Sequence, residues 1–213
     1  MSAPPASQTL FDLSGGHPAL DLVNSLDNRF RDDGPNENLV CYSDLLRFLG
    51  ESGLLDAHQI RLLNQSVNEE AAEQALHAVK ELREATAVVF YAAMEETTPA
   101  NADVLTLERH FLDAGRHRQL AWDTEHAHMK WHWDRVEADP DFPVWLLAQS
   151  VSDLLLSDQA ARVRTCAVDT CRWLFLDTSK NHTRRWCNMK VCGNRMKARR
   201  FQARRDEIGR AHV

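Results

Sequence analysis

The chain has 213 residues, of which 44% are hydrophobic and 26% charged, with a formal net charge of −6. That length gives room for one large domain, or a medium domain plus a small one that is marginal on burial alone. No apolar run approaches a membrane span, and the start Met1-Ser2-Ala3-Pro4-Pro5-Ala6 lacks the basic and apolar stretches of a secretory signal, so no membrane partner and a cytoplasmic location are expected.

Residues 1–16 form a polar lead expected to fray at its start. From His17 to Arg29, apolar residues alternate with Asp21, Asn24 and Arg29, a spacing that fits either a short helix or a strand. These three polar residues could line a ligand pocket, which needs a few fixed polar groups among apolar walls, or could cap and brace the element that carries them. Ser43 and Asp44 are N-cap candidates for a helix burying Leu45, Leu46, Phe48 and Leu49 and stopping near Gly50 or Gly53. A second helix is predicted after Asp56, with Ile60 and Leu63 inward. From Asn68, residues Ala72, Ala75, Leu76, Val79, Leu82, Thr86, Val89, Phe90 and Ala93 recur at helical spacing, and Pro99 ends the run. Another helix is predicted from Asn101 to Ala114, closing at Gly115.

The period then changes to two. Ala127, Met129, Trp131 and Trp133 alternate with His126, His128, Lys130 and His132, as in a half-buried strand, with Gln119 to Asp123 as its hairpin partner. The three histidines share a face, but Lys130 between them opposes a cation, so a solvated face is the expectation. Trp122, Trp131 and Trp133 are expected in the core, with an aromatic pocket as the other use. A helix after Asp141, with Pro143 in its first turn, buries Val144, Leu147, Val151, Leu154 and Leu155. The N-terminal part is therefore mainly α with a small β-hairpin, and a boundary is expected near residues 157–163.

Charge changes sign at that boundary. Residues 160–213 hold 14 Lys/Arg against 4 Asp/Glu, a net of +10, which leaves −16 for residues 1–159. Such asymmetry predicts two modules with different partners, spanning residues 1–160 and 161–213. In the second, Cys166, Cys171, Cys187 and Cys192 are spaced as Cys-x4-Cys, fifteen residues, then Cys-x4-Cys. In a reducing compartment this pattern predicts one tetrahedral, structural Zn²⁺ held by four thiolates. Arg172 to Asp177 reads as a strand, Thr183 to Trp186 as its return strand, and a helix begins at Gly193 or Asn194. Knuckle, hairpin and ligands at a helix N-terminus give a small α+β, treble-clef-like zinc finger.

Basic residues crowd this finger. Arg184, Arg185, Lys190, Asn194, Arg195, Lys197, Arg199, Arg200 and Arg204 are the candidate nucleic-acid contacts. Arg195, Arg199 and Gln202 form one stripe of the helix, and Lys197, Arg200 and Arg204 another. Arginine and glutamine can read base edges in the major groove, and lysine and arginine neutralise phosphates. The other uses are local: Arg185 or Arg195 could offset the −2 charge of a four-thiolate zinc site, and Asn194 could cap the helix.

The stretches 171–181 and 184–195, which close on Cys192-Gly193-Asn194-Arg195, resemble the CGNR zinc finger. The segment Ala19-Leu20-Asp21-Leu22-Val23-Asn24-Ser25 looks like the opening of the ABATE domain that accompanies it. The resemblance covers nearly the whole chain and implies a stress-induced transcription regulator. It implies double-stranded DNA as partner of the finger, a small-molecule effector for the N-terminal domain and a nucleoid-associated location. A homodimer is expected because one small finger reads few base pairs, although no coiled-coil heptads support it. Three other readings stay open: an RNA-binding finger using Trp173 and Trp186, an enzyme with its site in the N-terminal domain, and a redox sensor working through the thiols.

Overall fold

In the computed structural model, which describes residues 10–133 and 137–210 apart from the side chains of 203, 204 and 206–210, helix starts follow the polar caps. The first nine residues, expected as a fraying lead, lie outside the described residues. Helix α1 (Pro18–Asn24) settles the ambiguity of the opening motif: His17 Nδ1 accepts from Ala19 N–H at 3.2 Å and Pro18 occupies the first turn. Strands β1 (Leu26–Asp27) and β2 (Asn36–Glu37) make a two-residue antiparallel ladder. Helix α2 (Tyr42–Glu51) is capped at Cys41. Asp44, expected as a cap, sits three residues in, and its carboxylate accepts from Val40 N–H and Cys41 N–H at 3.2 and 3.3 Å. Asp56 caps α3 (Ala57–Ser66) and Asn68 caps α4 (Glu69–Met94).

Helix α4 is the axis of the body. Its buried stripe Ala75, Leu76, Val79, Leu82, Ala85 and Phe90 packs against α1, α5 (Asn101–Arg116) and α6 (Phe142–Leu155). Helix α5 runs through Gly115, the expected stop, to Arg116. No helix among the described residues is long and apolar enough to cross a membrane.

Strands β3 (Arg118–Asp123) and β4 (His128–Trp133) form the expected hairpin, in the register Leu120↔Trp131 and Trp122↔Met129. The burial expectation fails there, because Leu120, Trp122, Met129 and Trp131 are all exposed. The hairpin meets the body at its base, where Trp133 sets its ring edge-on to Phe142 and Arg118 bonds Gln149. No helix lies over the apolar face beyond that point among the described residues, so only Trp133 of the expected aromatic set joins the core.

Past a 3₁₀ turn (Asp158–Arg162), β5 (Val163–Thr165) pairs with β6 (Leu174–Leu176). This corrects the predicted hairpin: β6 finds its partner before the first cysteine pair, and residues 183–186 form no strand. The free edge of β6 is already covered. Its Leu176 N–H donates to Gly15 C=O at 2.8 Å, and its Leu174 N–H donates to the Asn24 side chain at 3.0 Å. Asp177 also accepts the Arg184 N–H at 3.0 Å, which turns the following segment away. Val163, Leu174 and Leu176 belong to the main core, so the finger hairpin and the helical body bury apolar surface together. After a single π-type turn (Met189–Gly193), α7 (Asn194–Arg210) ends the chain's described part.

Candidate metal centre and basic helix

The cysteine pattern closes in space. The four Sγ atoms lie within 4.8 Å of one another, and Cys187 Sγ is 3.7 Å from both Cys171 and Cys192. With metal–sulfur bonds of about 2.3 Å, the edge of a tetrahedron is about 3.8 Å, so the sulfurs already stand where a zinc ion needs them. None is in a disulfide. Cys166, Cys187 and Cys192 are buried with Val168 and Phe175 in a small second core, against which Trp173, Trp186 and Met196 pack.

The thiols by themselves cannot all ionise. Hydrogen bonds from Cys171 and Cys187 pull the Cys166 thiol far down. The same bonds push Cys171 and Cys187 up, and burial pushes Cys192 up. A dication is what lets four thiolates share this space, and the donor set fits zinc. Enclosed by four protein ligands, it supplies folding free energy and keeps no position for water or substrate.

The residues after the last ligand have local reasons. Gly193 lies under the Met189 side chain, where an added Cβ would come within 2.4 Å of the sulfur and the Met189 side chain would have to move aside. Asn194 Nδ2 donates to Lys190 C=O at 3.0 Å. From there α7 leaves the zinc knuckle, and its exposed face carries Lys197, Arg199 and Arg200. None of these has a carboxylate partner among the described residues, and neither do the exposed Arg185 and Lys190. Arg195 is half-buried, lining a crevice with Asp12 and Asp27. The side chain of Arg204 lies outside the described residues.

Arg184 departs from expectation. Its guanidinium donates to the carbonyls of Ser14 (3.0 Å), Leu176 (3.3 Å), Trp186 (2.9 Å) and Cys187, and it lies over the Phe175 ring. It braces the finger against the body, with four of its five N–H donors held by these carbonyls.

The opening motif meets the finger as well. Asn24 Oδ1 accepts from Leu174 N–H and its Nδ2 donates to Leu174 C=O, at 3.0 and 2.8 Å, so the side chain imitates a neighbouring strand. Asp21 Oδ1 accepts from Gly15 N–H at 2.8 Å, and an added Cβ on Gly15 would stand 2.6 Å from that oxygen. Arg29 does not join them: it pairs with Glu84 on α4. Sequence reasoning missed Trp173 as a latch, whose Nε1–H donates to Asp27 at 2.8 Å. Asp21, Asn24, Asp27 and Trp173 line a cavity of about 360 Å³ at this seam, and a smaller one of about 180 Å³ lies between Asp27, Trp173 and the cysteines.

Burial, which outweighs the Gly15 N–H, pushes the Asp21 carboxyl up to about 7, with Asp12 adding to the rise. The folded protein therefore holds a proton there that the unfolded chain releases near pH 4. The resulting stability is full below that value and lost as pH rises towards 7. Asp21→Asn keeps the acceptor for Gly15 and cannot ionise. It should gain on the unsubstituted protein by on the order of 3 kcal/mol between pH 4 and 7, with little further gain above. Urea unfolding of both proteins across that range checks this, and parallel curves would show that Asp21 is ionised in the fold.

Two family models match the chain. The CGNR zinc finger family model matches residues 162–205. The ABATE family model, described as "Putative stress-induced transcription regulator", matches residues 16–158. No curated protein matches the chain.

Proposed function

Because the chain belongs to the ABATE family of transcription regulators and carries the CGNR zinc finger, we propose that it binds double-stranded DNA through α7 and answers to a small molecule held at the seam between body and finger. The observation that carries the first half is the outward face of α7. Lys197 and Arg200, one turn apart, stand in solvent with no acidic partner among the described residues, beside Arg199. Arg195 faces the carboxylates of the body, so the stripe running through Lys197 and Arg200 is the one that enters the groove. The body's net charge of −16 keeps it off the phosphates and turns the basic end toward them.

Trp173 weighs against a single-stranded RNA partner. Its indole N–H is held by Asp27 and its ring packs on the zinc core, so what remains open of it faces the seam cavities rather than an outer surface on which a strand of bases could stack. The same residue supports the second half. An occupant of the 360 Å³ cavity would touch Trp173, two residues from the ligand Cys171, and would compete with or reinforce the Asp27 latch. A ligand that binds one latch state better shifts how the finger is presented.

The DNA reading is tested by the salt dependence of binding. Lys197→Ala with Arg200→Ala should lower affinity for duplex DNA about tenfold or more, and should flatten the slope of log K against log salt by about two. Fluorescence anisotropy on a random-sequence duplex measures both. An unchanged slope, or tighter binding to single-stranded RNA than to the duplex, would turn the assignment away from this helix face.

A further inference from the structure

The β3–β4 hairpin ends in an apolar face that nothing in the described molecule covers. Leu120, Trp122, Met129 and Trp131 are 60%, 58%, 51% and 55% exposed. The register sets Leu120 opposite Trp131 and Trp122 opposite Met129, so all four side chains stand on one side of the ribbon. The opposite side carries His128, Lys130 and His132 and belongs in water. The alternation is thus complete, and it is the alternation of a sheet with one packed face.

The arm is also built to keep its shape. Trp133 anchors its base against Phe142, and the Arg118 guanidinium lies 4.6 Å from the centre of the Trp131 ring. At the tip, Asp123 accepts from Glu125 N–H and His126 N–H at 3.0 and 3.1 Å, and Lys130 Nζ bonds its other oxygen at 2.9 Å. These contacts hold the carboxyl down to about 2, so the turn stays tied at every ordinary pH. A two-stranded ribbon that shows two tryptophans to water is marginal by itself and becomes stable when its apolar face is packed.

We propose that this face is a homodimer interface, in which the hairpins of two copies pack face to face about a two-fold axis. The four side chains leave about 500 Å² of largely apolar surface in solvent, the size at which a contiguous patch marks an interaction site. Two copies would bury at most about 1,000 Å² from these residues, the threshold for a specific interface, and contacts of the neighbouring residues carry it into the usual range. Leu120, Trp122, Met129 and Trp131 are themselves uncharged, and Arg118 at the base of the same face lies over the Trp131 ring, so the patch is apolar towards its tip and matches a second copy of itself. Isologous pairing joins Trp122 and Trp131 of one copy to the same patch on its partner and closes at two. Combined with the DNA reading above, it would present two basic helices with two-fold symmetry, but the dimer does not depend on that reading.

Sedimentation equilibrium of the full-length, zinc-loaded protein without DNA tests it, over roughly 1–100 μM. The dimer should be the main species in the upper half of that range. Trp122→Glu and Trp131→Glu, on exposed positions, should each raise the dimer dissociation constant about 100-fold while far-ultraviolet circular dichroism stays unchanged. His132→Glu, on the opposite face of the same strand, should leave it within about threefold. A monomer throughout, or a dimer weakened by His132→Glu and indifferent to both tryptophan changes, overturns the assignment. Dimerisation that survives while duplex binding is absent would separate failure of the DNA reading from failure of this one.

Discussion

Removing zinc, by chelation or by Cys187→Ser, is expected to unfold the C-terminal segment and to weaken the N-terminal helices with it. A two-module reading of the sequence predicts otherwise: a metal-dependent finger lost on its own, with the acidic body intact. The structure joins the two. Leu174 and Leu176 lie in the same core as Leu20, Leu22, Val79 and Leu147, on the strand whose two ends run to Cys171 and, through Asp177 and Arg184, to Cys187. Structural zinc contributes on the order of 10 kcal/mol in small fingers, and without it the finger's own buried core is Val168 and Phe175 beside three of the four thiols. When that core opens, β6 no longer holds its place and the face of α1 it covers meets water. The loss to the body should be on the order of 4 kcal/mol, from two buried leucines and the hydrogen bonds of Gly15 and Asn24. Hydrogen exchange resolved by segment measures it: amides of α1 and of β6 should lose protection together in the metal-free protein. Full protection of α1 in Cys187→Ser would mean that body and finger fold independently. Metal analysis should return one zinc per chain.

The metal centre could be read from sequence because its information is local. Four cysteines at fixed spacing leave few arrangements, and the chemistry of zinc chooses among them. The helices were readable for a similar reason: Asp56 and Asn68 cap α3 and α4 where the pattern puts them, and the stripe from Ala75 to Phe90 is buried as its period requires. What escaped was partnership across distance. Thr183 to Trp186 has the composition of a return strand, but whether it pairs depends on who already holds the other edge of β6, and that is Asn24, 150 residues earlier. Nothing in either segment names the other. Arg184 reads as a nucleic-acid contact because charge is visible in a sequence and four converging carbonyls are not. The hairpin shows the same limit: alternation says that Leu120, Trp122, Met129 and Trp131 share a face, and leaves open whether the chain itself covers it.

Asn24→Ala is expected to cost about 3 kcal/mol, although Asn24 only ends a helix of seven residues. The amide is buried and bonds both backbone groups of Leu174, themselves buried at the edge of β6. Truncation leaves a donor and an acceptor without partners, at about 1–3 kcal/mol each before any water enters. The alternative is that Asn24 merely fills space, in which case Asn24→Ala and Asn24→Leu differ only in packing. Asn24→Asp distinguishes the two. A neutral carboxylic acid has the same outline as the amide: its carbonyl oxygen can accept from Leu174 N–H, and its O–H can donate to Leu174 C=O. An ionised carboxylate can do only the first, and it would face that carbonyl with a negative charge next to Asp21. The fold therefore favours the protonated form and raises the pKa of the introduced carboxyl above its unfolded value. By linkage, Asn24→Asp should approach the stability of the unsubstituted protein near pH 4 and fall away as pH rises through that raised value, while Asn24→Ala stays low throughout. Chemical denaturation of the three proteins between pH 4 and 8 gives the comparison. Because Leu174 is three residues from Cys171, the same series followed by competition with a zinc chelator should show metal affinity falling in step with stability. A zinc affinity that does not move with Asn24 would confine this residue to the body and uncouple the seam from the finger.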